Sequence, residues 1–465
     1  MRKKAFVIVL ILFFFLSNIP VWANSAPVYW EASPSSNVMI VEEDSPITVL
    51  KENLTFDFSE NQLEDYSIVA KVTAEYIMKN TSENEIISSM VFPYFGNFSG
   101  NRKPGGEVIV DGSPVPYTLY YGDSYRKEDL EEEKLDLKAA LEEVETGSYE
   151  PKNFSLDEPG VLYQVTFKNL KSDHFTGKVS FPLEGAEKVF AKNLNSYGYS
   201  GDSYDIGTSV RYQDTMELFF LGEALDLIPE AHTFEGKGLT ENEDYTVEIT
   251  KKSMLFQDYY EEMVADSEYL GYFVINNQTE RNFFLKNLDD AFGLERLVTE
   301  DDLAQFLYEE RLIFLYYETP FQAGEEKTIS ISYEAGGSMD RSSSKDPTYT
   351  FEYLLSPAGY FKDFKNLTLR VLPSEGYPYV ISSSLPLDKK ENGEYVGVFD
   401  TLPEKELTFT MYREEKITLV DRTEGFLSRN LYAFLFSGAV FLVFLAALVV
   451  GFGIRGLIRF KRHST

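Results

Sequence analysis

Few residues in this chain could do chemistry, and none belongs to a complete set. Gly-Asp-Ser occurs at 122–124 and again at 201–203, a triplet that would suit the nucleophile of a serine esterase. Such a serine needs a histidine base, itself oriented by a carboxylate. The histidines are His174, His232 and His463, and neither of the first two has the Asp two positions ahead that these enzymes place there. Both triplets therefore read as turns. There is no Gly-x-Ser-x-Gly elbow. Ser124 to Lys127 and Ser342 to Lys345 match Ser-x-x-Lys, but no Lys-Thr-Gly accompanies them. With no cysteine and no His-Glu-x-x-His, zincins and cysteine-ligated zinc are excluded.

Carboxylates are too numerous to nominate. Glycoside hydrolysis needs only two, roughly 5–10 Å apart, and the chain has 75 acidic residues. The loop SGDSYDIG (200–207) offers oxygen ligands for calcium but lacks the Asp-x-Asp-x-Asp-Gly pattern. Two aromatic runs, Tyr117 to Tyr121 and Asn195 to Tyr199, could stack on sugars, although tyrosine also packs well in sheets with its hydroxyl in water. No catalytic, cofactor-binding or metal-binding residue is assigned, and no cofactor is expected.

The elements that must position these residues are mostly strands. Period-two alternation marks Leu54, Phe56 and Phe58, then Ala70, Val72, Ala74, Tyr76 and Met78, then Val161 to Phe167 and Lys178 to Phe181. It returns at Ile329, Ile331 and Tyr333, at Phe351 and Tyr353, at Leu367, Leu369 and Val371, and at Leu407, Phe409 and Met411. Gly-rich turns at 104–106, 111–112, 336–337 and 392–393 separate the runs. Helical periodicity interrupts them twice. Over about 124–146, Leu130, Leu137, Leu141 and Val144 form a stripe and Gly147 suits a C-cap. Over about 253–312, Phe284, Leu288 and Phe292 share a face, and Thr299 with Asp302 forms a capping-box pattern.

This pattern predicts a mainly β chain of tandem antiparallel β-sandwiches with helical insertions, plus one C-terminal transmembrane helix. The first sandwich would run over 24–190 with the acidic helix, the second over 191–413 with the larger helical insertion. A stalk at 414–430 would lead to the membrane.

The ends of the chain carry addressing signals. Arg2, Lys3 and Lys4 precede the apolar run Ala5–Leu16, and Val21-Trp22-Ala23 offers a cleavage site, so residues 1–23 read as a signal peptide. Leu431–Ile454 is an uncharged apolar stretch of 24 residues, about 36 Å as a helix. Arg455, Arg459, Lys461 and Arg462 follow it in the tail 455–465, which places that end in the cytoplasm. The expectation is a single-pass type I protein of the cell membrane, with its N-terminal ectodomain extracellular. LPSEG (372–376) mimics a sortase signal but lies too far upstream of the apolar stretch to act as one.

Composition bounds the partners. The net charge is −32, and −39 once the three signal cations and the four tail cations are set aside. Such acidity repels nucleic acid and disfavours lying on anionic lipid. An exported chain without cysteine ignores the oxidising compartment that secreted eukaryotic domains exploit. Its six Asn-x-Ser/Thr triplets, at Asn53, Asn80, Asn97, Asn153, Asn277 and Asn366, then carry no meaning. A Gram-positive bacterium fits best.

Residues 72–96, VTAEYIMKNTSENEIISSMVFPYFG, followed by EVIVDGSPVPY at 107–117, resemble the opening of VIT-type sandwiches of vault and inter-alpha-trypsin inhibitor proteins. Residues 315–337 are similar to strand pairs in bacterial surface ectodomains anchored by one C-terminal helix. The resemblance implies an all-β extracellular module and transfers no catalytic residue. The functional expectation is a non-enzymatic binding or structural component at a bacterial surface, with a protein or glycan partner. The alternative is a surface hydrolase of wall polysaccharide using an acidic pair.

Overall fold

The computed structural model describes residues 28–426, apart from 33, 43, 61–62, 65, 99–104, 125–135, 145–146, 172–173, 183–186, 201–202, 236–237 and 266–274. The signal peptide, the apolar stretch Leu431–Ile454 and the basic tail lie outside the described residues. Among the described residues no helix is long and apolar enough to cross a membrane. The chain is mainly β, in several largely antiparallel sheets.

In chain order the principal strands begin with β1 (Ile47–Asp57), β2 (Ser67–Asn80), β3 (Ile86–Gly96) and β4 (Thr118–Ser124). Helix α1 (Leu137–Glu142) follows. A middle block holds β5 (Pro159–Asn169), β6 (Phe175–Pro182), β7 (Lys188–Lys192), β8 (Ser196–Ser200) and β9 (Ser203–Val210). It continues with β10 (Gln213–Leu221), β11 (Ile228–Glu235) and β12 (Tyr245–Leu255). Helices α2 (Phe256–Ala265) and α3 (Gln278–Leu294), the short β13 (Leu297–Thr299) and α4 (Glu300–Tyr308) close the block. The chain returns through β14 (Arg311–Phe321), β15 (Glu326–Gly336) and β16 (Thr348–Leu354). It ends with β17 (Lys365–Leu372), β18 (Tyr395–Thr401) and β19 (Leu407–Tyr412).

Pairing joins the two ends of the chain and leaves the middle block as an insertion. Strand β2 lies between β1 and β15, antiparallel to both, with Tyr76 opposite Glu52 on one side and Ile329 on the other. Beyond β1, strand β17 runs parallel to it. Likewise β14 lies between β3 and β4. The inward residues of these alternating strands meet in one core. Leu54, Phe56, Val72, Tyr76, Ile331 and Leu369 pack there against Phe351, Tyr353 and Phe409 of the sheet holding β16 and β19. The 190/191 division expected from composition does not coincide with this pairing, because β1–β4 hydrogen-bond to strands that lie beyond residue 310. Alternation says which face of a strand is apolar and nothing about which strand will cover it.

The middle block has three layers. Its first sheet runs β12–β5–β10–β7–β13 and its second runs β8–β9–β6–β11 and a short edge strand, Gly238–Glu241. Val161, Tyr163, Val165 and Phe167 of β5 face the second sheet, as do Met216, Leu218 and Phe220 of β10. Leu162, Phe219 and Leu221 point the other way, into Phe256, Tyr259, Phe284, Leu288 and Phe292 of the helices. A sheet covered on both faces needs continuous apolar runs, which explains LFFL at 218–221.

The expected capping box forms: the Thr299 side chain accepts from Asp302 N and Asp302 accepts from Thr299 N, starting α4. The acidic helix is described over Leu137–Glu142; Leu137, Leu141 and, beyond the helix, Val144 pack beside Phe95, Leu312 and Phe314, while Leu130 lies outside the described residues. Its C-cap is Glu143, whereas Gly147 accepts a hydrogen bond from Asn282 of α3.

Candidate functional site

The site is built where β7 leaves the first sheet of the insertion and β8 joins the edge of the second. Asn193 makes the corner with φ 58°, a left-handed conformation that asparagine tolerates better than most residues. Three bonds hold it. Its Nδ2 donates to Asp214 Oδ1 at 2.6 Å and to the Thr215 carbonyl at 2.7 Å. Its backbone N donates to Glu300 Oε1 at 2.7 Å. The corner is thus tied to β10 and to the first turn of α4.

A charged cluster backs the corner. Lys192 Nζ lies 3.3 Å from Glu217 Oε1, and the same oxygen accepts from the Tyr259 hydroxyl at 3.2 Å. Lys192 also sits over the Tyr259 ring at 5.9 Å, and Tyr259 stacks on Phe219 at 4.4 Å. Burial pushes the Glu300 carboxyl up to about 7; the Asn193 amide and Lys192 oppose this, and Asp301 and Glu217 add to it. Burial, then the Glu217 charge, also raises Tyr259. Glu217 and Glu300 therefore differ: one carboxylate is paired with a lysine, and the other holds a proton close to neutral pH.

Beside this cluster β8 presents Tyr197 and Tyr199, which are 50% and 62% exposed. They are two residues apart and so share a face. Tyr199 pairs with Tyr204 of β9 and Tyr204 with Phe181 of β6. The three rings form a row, with centroids 5.0 and 6.1 Å apart, that ends in the buried core. Tyr197 lies in the field of Asp302 and, after burial, of Glu295, both of which raise its hydroxyl pKa.

The residues singled out by sequence fall as follows. Of the two aromatic runs, Tyr120 packs on Tyr316 and Tyr121 on Phe98 and Phe283, whereas Tyr197 and Tyr199 stand in solvent. Ser203 donates to the Phe181 carbonyl at 3.2 Å, and His174 bonds to Ser209. Neither Ser124 nor Ser203 meets a histidine among the described residues. His232 lies in β11, opposite Thr176 and Glu241. Asp205 of the acidic loop accepts from Ser180 at 2.5 Å and sits 3.5 Å from Lys178. Among the described residues no three His, Asp or Glu side chains gather where they could hold a metal. Ser344 and Lys345 bond to the Asp346 carbonyl and to Glu424. Ser374 of the LPSEG run is buried.

Sequence reasoning missed Lys192, Glu217 and Glu300, since nothing local sets them apart from other charged residues. It also missed Glu52, which is fully buried in the main core and raised to about 7 by burial, against the pull of Asn37 and Tyr76. A signal for Glu52 was present: it lies in phase with the inward-facing Leu54 and Phe56.

No family model matches the chain, and no curated protein matches it. Among solved structures the chain is similar to a candidate nutrient-binding protein from Legionella pneumophila subsp. pneumophila str. Philadelphia 1. The identity is 9% and the TM-score 0.35, over 83% of this chain and 73% of that one. A likeness at that score carries no argument about fold or role.

Proposed function

We propose that this protein is a non-enzymatic binding or structural component held at a bacterial cell surface. In this reading Leu431–Ile454 is a single transmembrane anchor, residues 28–426 lie outside the cell, and 455–465 form a cytoplasmic tail. The length of the apolar stretch and the cations behind it support that orientation. Both units are read as sandwiches, the inserted one built on two facing sheets and the outer one on three sheets, with the VIT-like opening in β2 and β3. The partner is a surface protein or a glycan rather than nucleic acid, given a net charge of −32.

One observation carries the reading. Tyr197 and Tyr199 are aromatic surface left uncovered on an ordered strand, anchored from behind by Tyr204 and Phe181. Aromatic side chains with one wet end are the residues that binding surfaces use. A photo-crosslinker at position 199 of the full-length protein in its native membrane should capture one discrete partner. A crosslinker at an exposed control position on another face, such as Val398, should not. Equal labelling from both positions, or none from 199, rejects the reading.

A second reading has its own support. Glu217, paired with Lys192, and Glu300, whose carboxyl burial pushes up to about 7, would supply the two unlike carboxyl groups that a carboxylate hydrolase uses. One oxygen of each is already engaged, by Lys192 with Tyr259 and by Asn193 respectively, which favours a structural role. Release of sugar from wall polymer by the purified protein, abolished in Glu300→Gln, would establish the hydrolase and overturn the non-enzymatic reading.

A further inference from the structure

Taking the binding reading as its basis, we infer that β8 is a docking edge that accepts an extended, basic peptide segment as an added strand. Exposed edge strands template pairing with any passing chain, and folded proteins blunt them with lysine, proline, bulges or inward charges. Strand β8 has none of these. Its five residues are Ser-Tyr-Gly-Tyr-Ser, and its register with β9 runs unbroken from Ser196 to Ser200. Beyond β8 no further strand pairs among the described residues, and a Cβ placed on Gly198 would meet open space. Two other edges are charged. Strand β12, at the edge of the neighbouring sheet, carries Glu248, Lys251 and Lys252. One edge of the nine-stranded sheet is Asp388–Lys389.

The side chains of β8 suit an added strand. Tyr197 and Tyr199 stand on one face two residues apart, the spacing at which alternate side chains of an extended peptide would meet them. The row through Tyr204 to Phe181 fixes Tyr199 before any partner arrives, which lowers the ordering cost of binding.

Charge selects the occupant. Glu295 and Asp302 act on Tyr197, and Glu300, Asp301 and Asp302 make up the first turn of α4. A strand laid along β8 would pass this acidic group, so lysine or arginine on it is favoured and acidic residues are rejected. The same charges disfavour a second copy of this chain, which would bring its own α4 turn close. A glycan could use the tyrosine rings but would leave the backbone edge unused.

The test uses the full-length protein in detergent and a short labelled peptide of alternating lysine and valine. Saturable binding is expected, weakening as salt is raised. It should fall by about tenfold or more in Tyr197→Ser/Tyr199→Ser, by the loss of aromatic contact. A peptide with alternate backbone amides N-methylated should lose binding, and so should one with glutamate in place of lysine. Thermal unfolding of the variant must match that of the parent, which separates lost contact from lost fold. Binding that survives N-methylation or the tyrosine substitutions overturns the inference, as does a β8-dependent dimer. Capture of wall oligosaccharide through Tyr197 and Tyr199, with no peptide binding, also overturns it but leaves the broader binding reading standing. Failure of the crosslink at position 199 removes both.

Discussion

Glu52 and Tyr76 face each other across the β1–β2 pair, both completely buried, and Asn37 joins them. The Asn37 side chain donates to Glu52 Oε2 at 3.0 Å and accepts from the Tyr76 hydroxyl. Among the described residues Glu52 Oε1 has no hydrogen-bond partner. The surrounding core disfavours the charged carboxylate, and burial is the main reason its pKa rises from 4.5 to about 7.

Stability should therefore depend on the Glu52 proton. A group whose folded pKa is raised contributes stability fully below the unfolded value, here 4.5, and loses it as pH rises through about 7. The cost of ionising it in the core is on the order of 3 kcal/mol. Glu52→Gln, a neutral isostere, should match the parent near pH 4.5 and exceed its stability at pH 8. Urea unfolding across that range measures the difference, and parallel curves would show that Glu52 does not titrate there.

Asp289 of α3 fastens the segment that leads into β5. It accepts from the Tyr149 hydroxyl at 2.7 Å, from Lys152 N at 2.9 Å and from Asn153 N at 2.7 Å. Asp289→Ala removes both carboxylate oxygens and leaves those backbone groups without their acceptor. A loss of about 2–4 kcal/mol is expected, with amide exchange at Lys152 and Asn153 accelerating first.

Arg311 stands where the chain returns from the insertion. Its guanidinium donates to the carbonyls of Gly122 at 3.2 Å and Phe306 at 2.8 Å, and lies 4.5 Å from the centre of the Phe283 ring. A lysine cannot reproduce the fork or the stacking. Arg311→Lys should cost about 1–3 kcal/mol and raise the protease sensitivity of the 97–124 region and α4 together. Unchanged cleavage would mean that the guanidinium does not hold this junction.

Gly160 is required by close approach rather than by its backbone angles. A Cβ there would lie 2.4 Å from Phe219 Cζ and 2.6 Å from the Phe220 carbonyl oxygen. The ring could turn, but the carbonyl belongs to the paired strand β10 and cannot. Gly160→Ala should cost about 1–3 kcal/mol by overpacking, readable as a lower thermal midpoint with the fold retained.

Much of the local structure was legible because it depends on neighbours in sequence. The alternation at Ala70 to Met78 became β2, the stripe at Phe284, Leu288 and Phe292 became the buried face of α3, and Thr299 with Asp302 capped α4. The site was not legible in the same way. Lys192, Glu217, Tyr259 and Glu300 come from four separate elements, and each looks like an ordinary surface or core residue until packing brings them together.

By itself the sequence determined a mainly β chain with two helical interruptions, an acidic surface without cysteine, and the apolar stretch Leu431–Ile454 with cations behind it. Composition and short-range periodicity are enough for these, since each depends on a residue and its near neighbours. The tertiary structure alone decided that β2 pairs with β15 across more than two hundred residues, and hence that 159–308 is an insertion. It also decided that Glu52 is buried, and that of two similar tyrosine runs one packs and the other remains on an open edge. The physical reason is the same in each case: burial belongs to the partner that covers a face, and that partner is chosen by long-range packing, which no local pattern encodes.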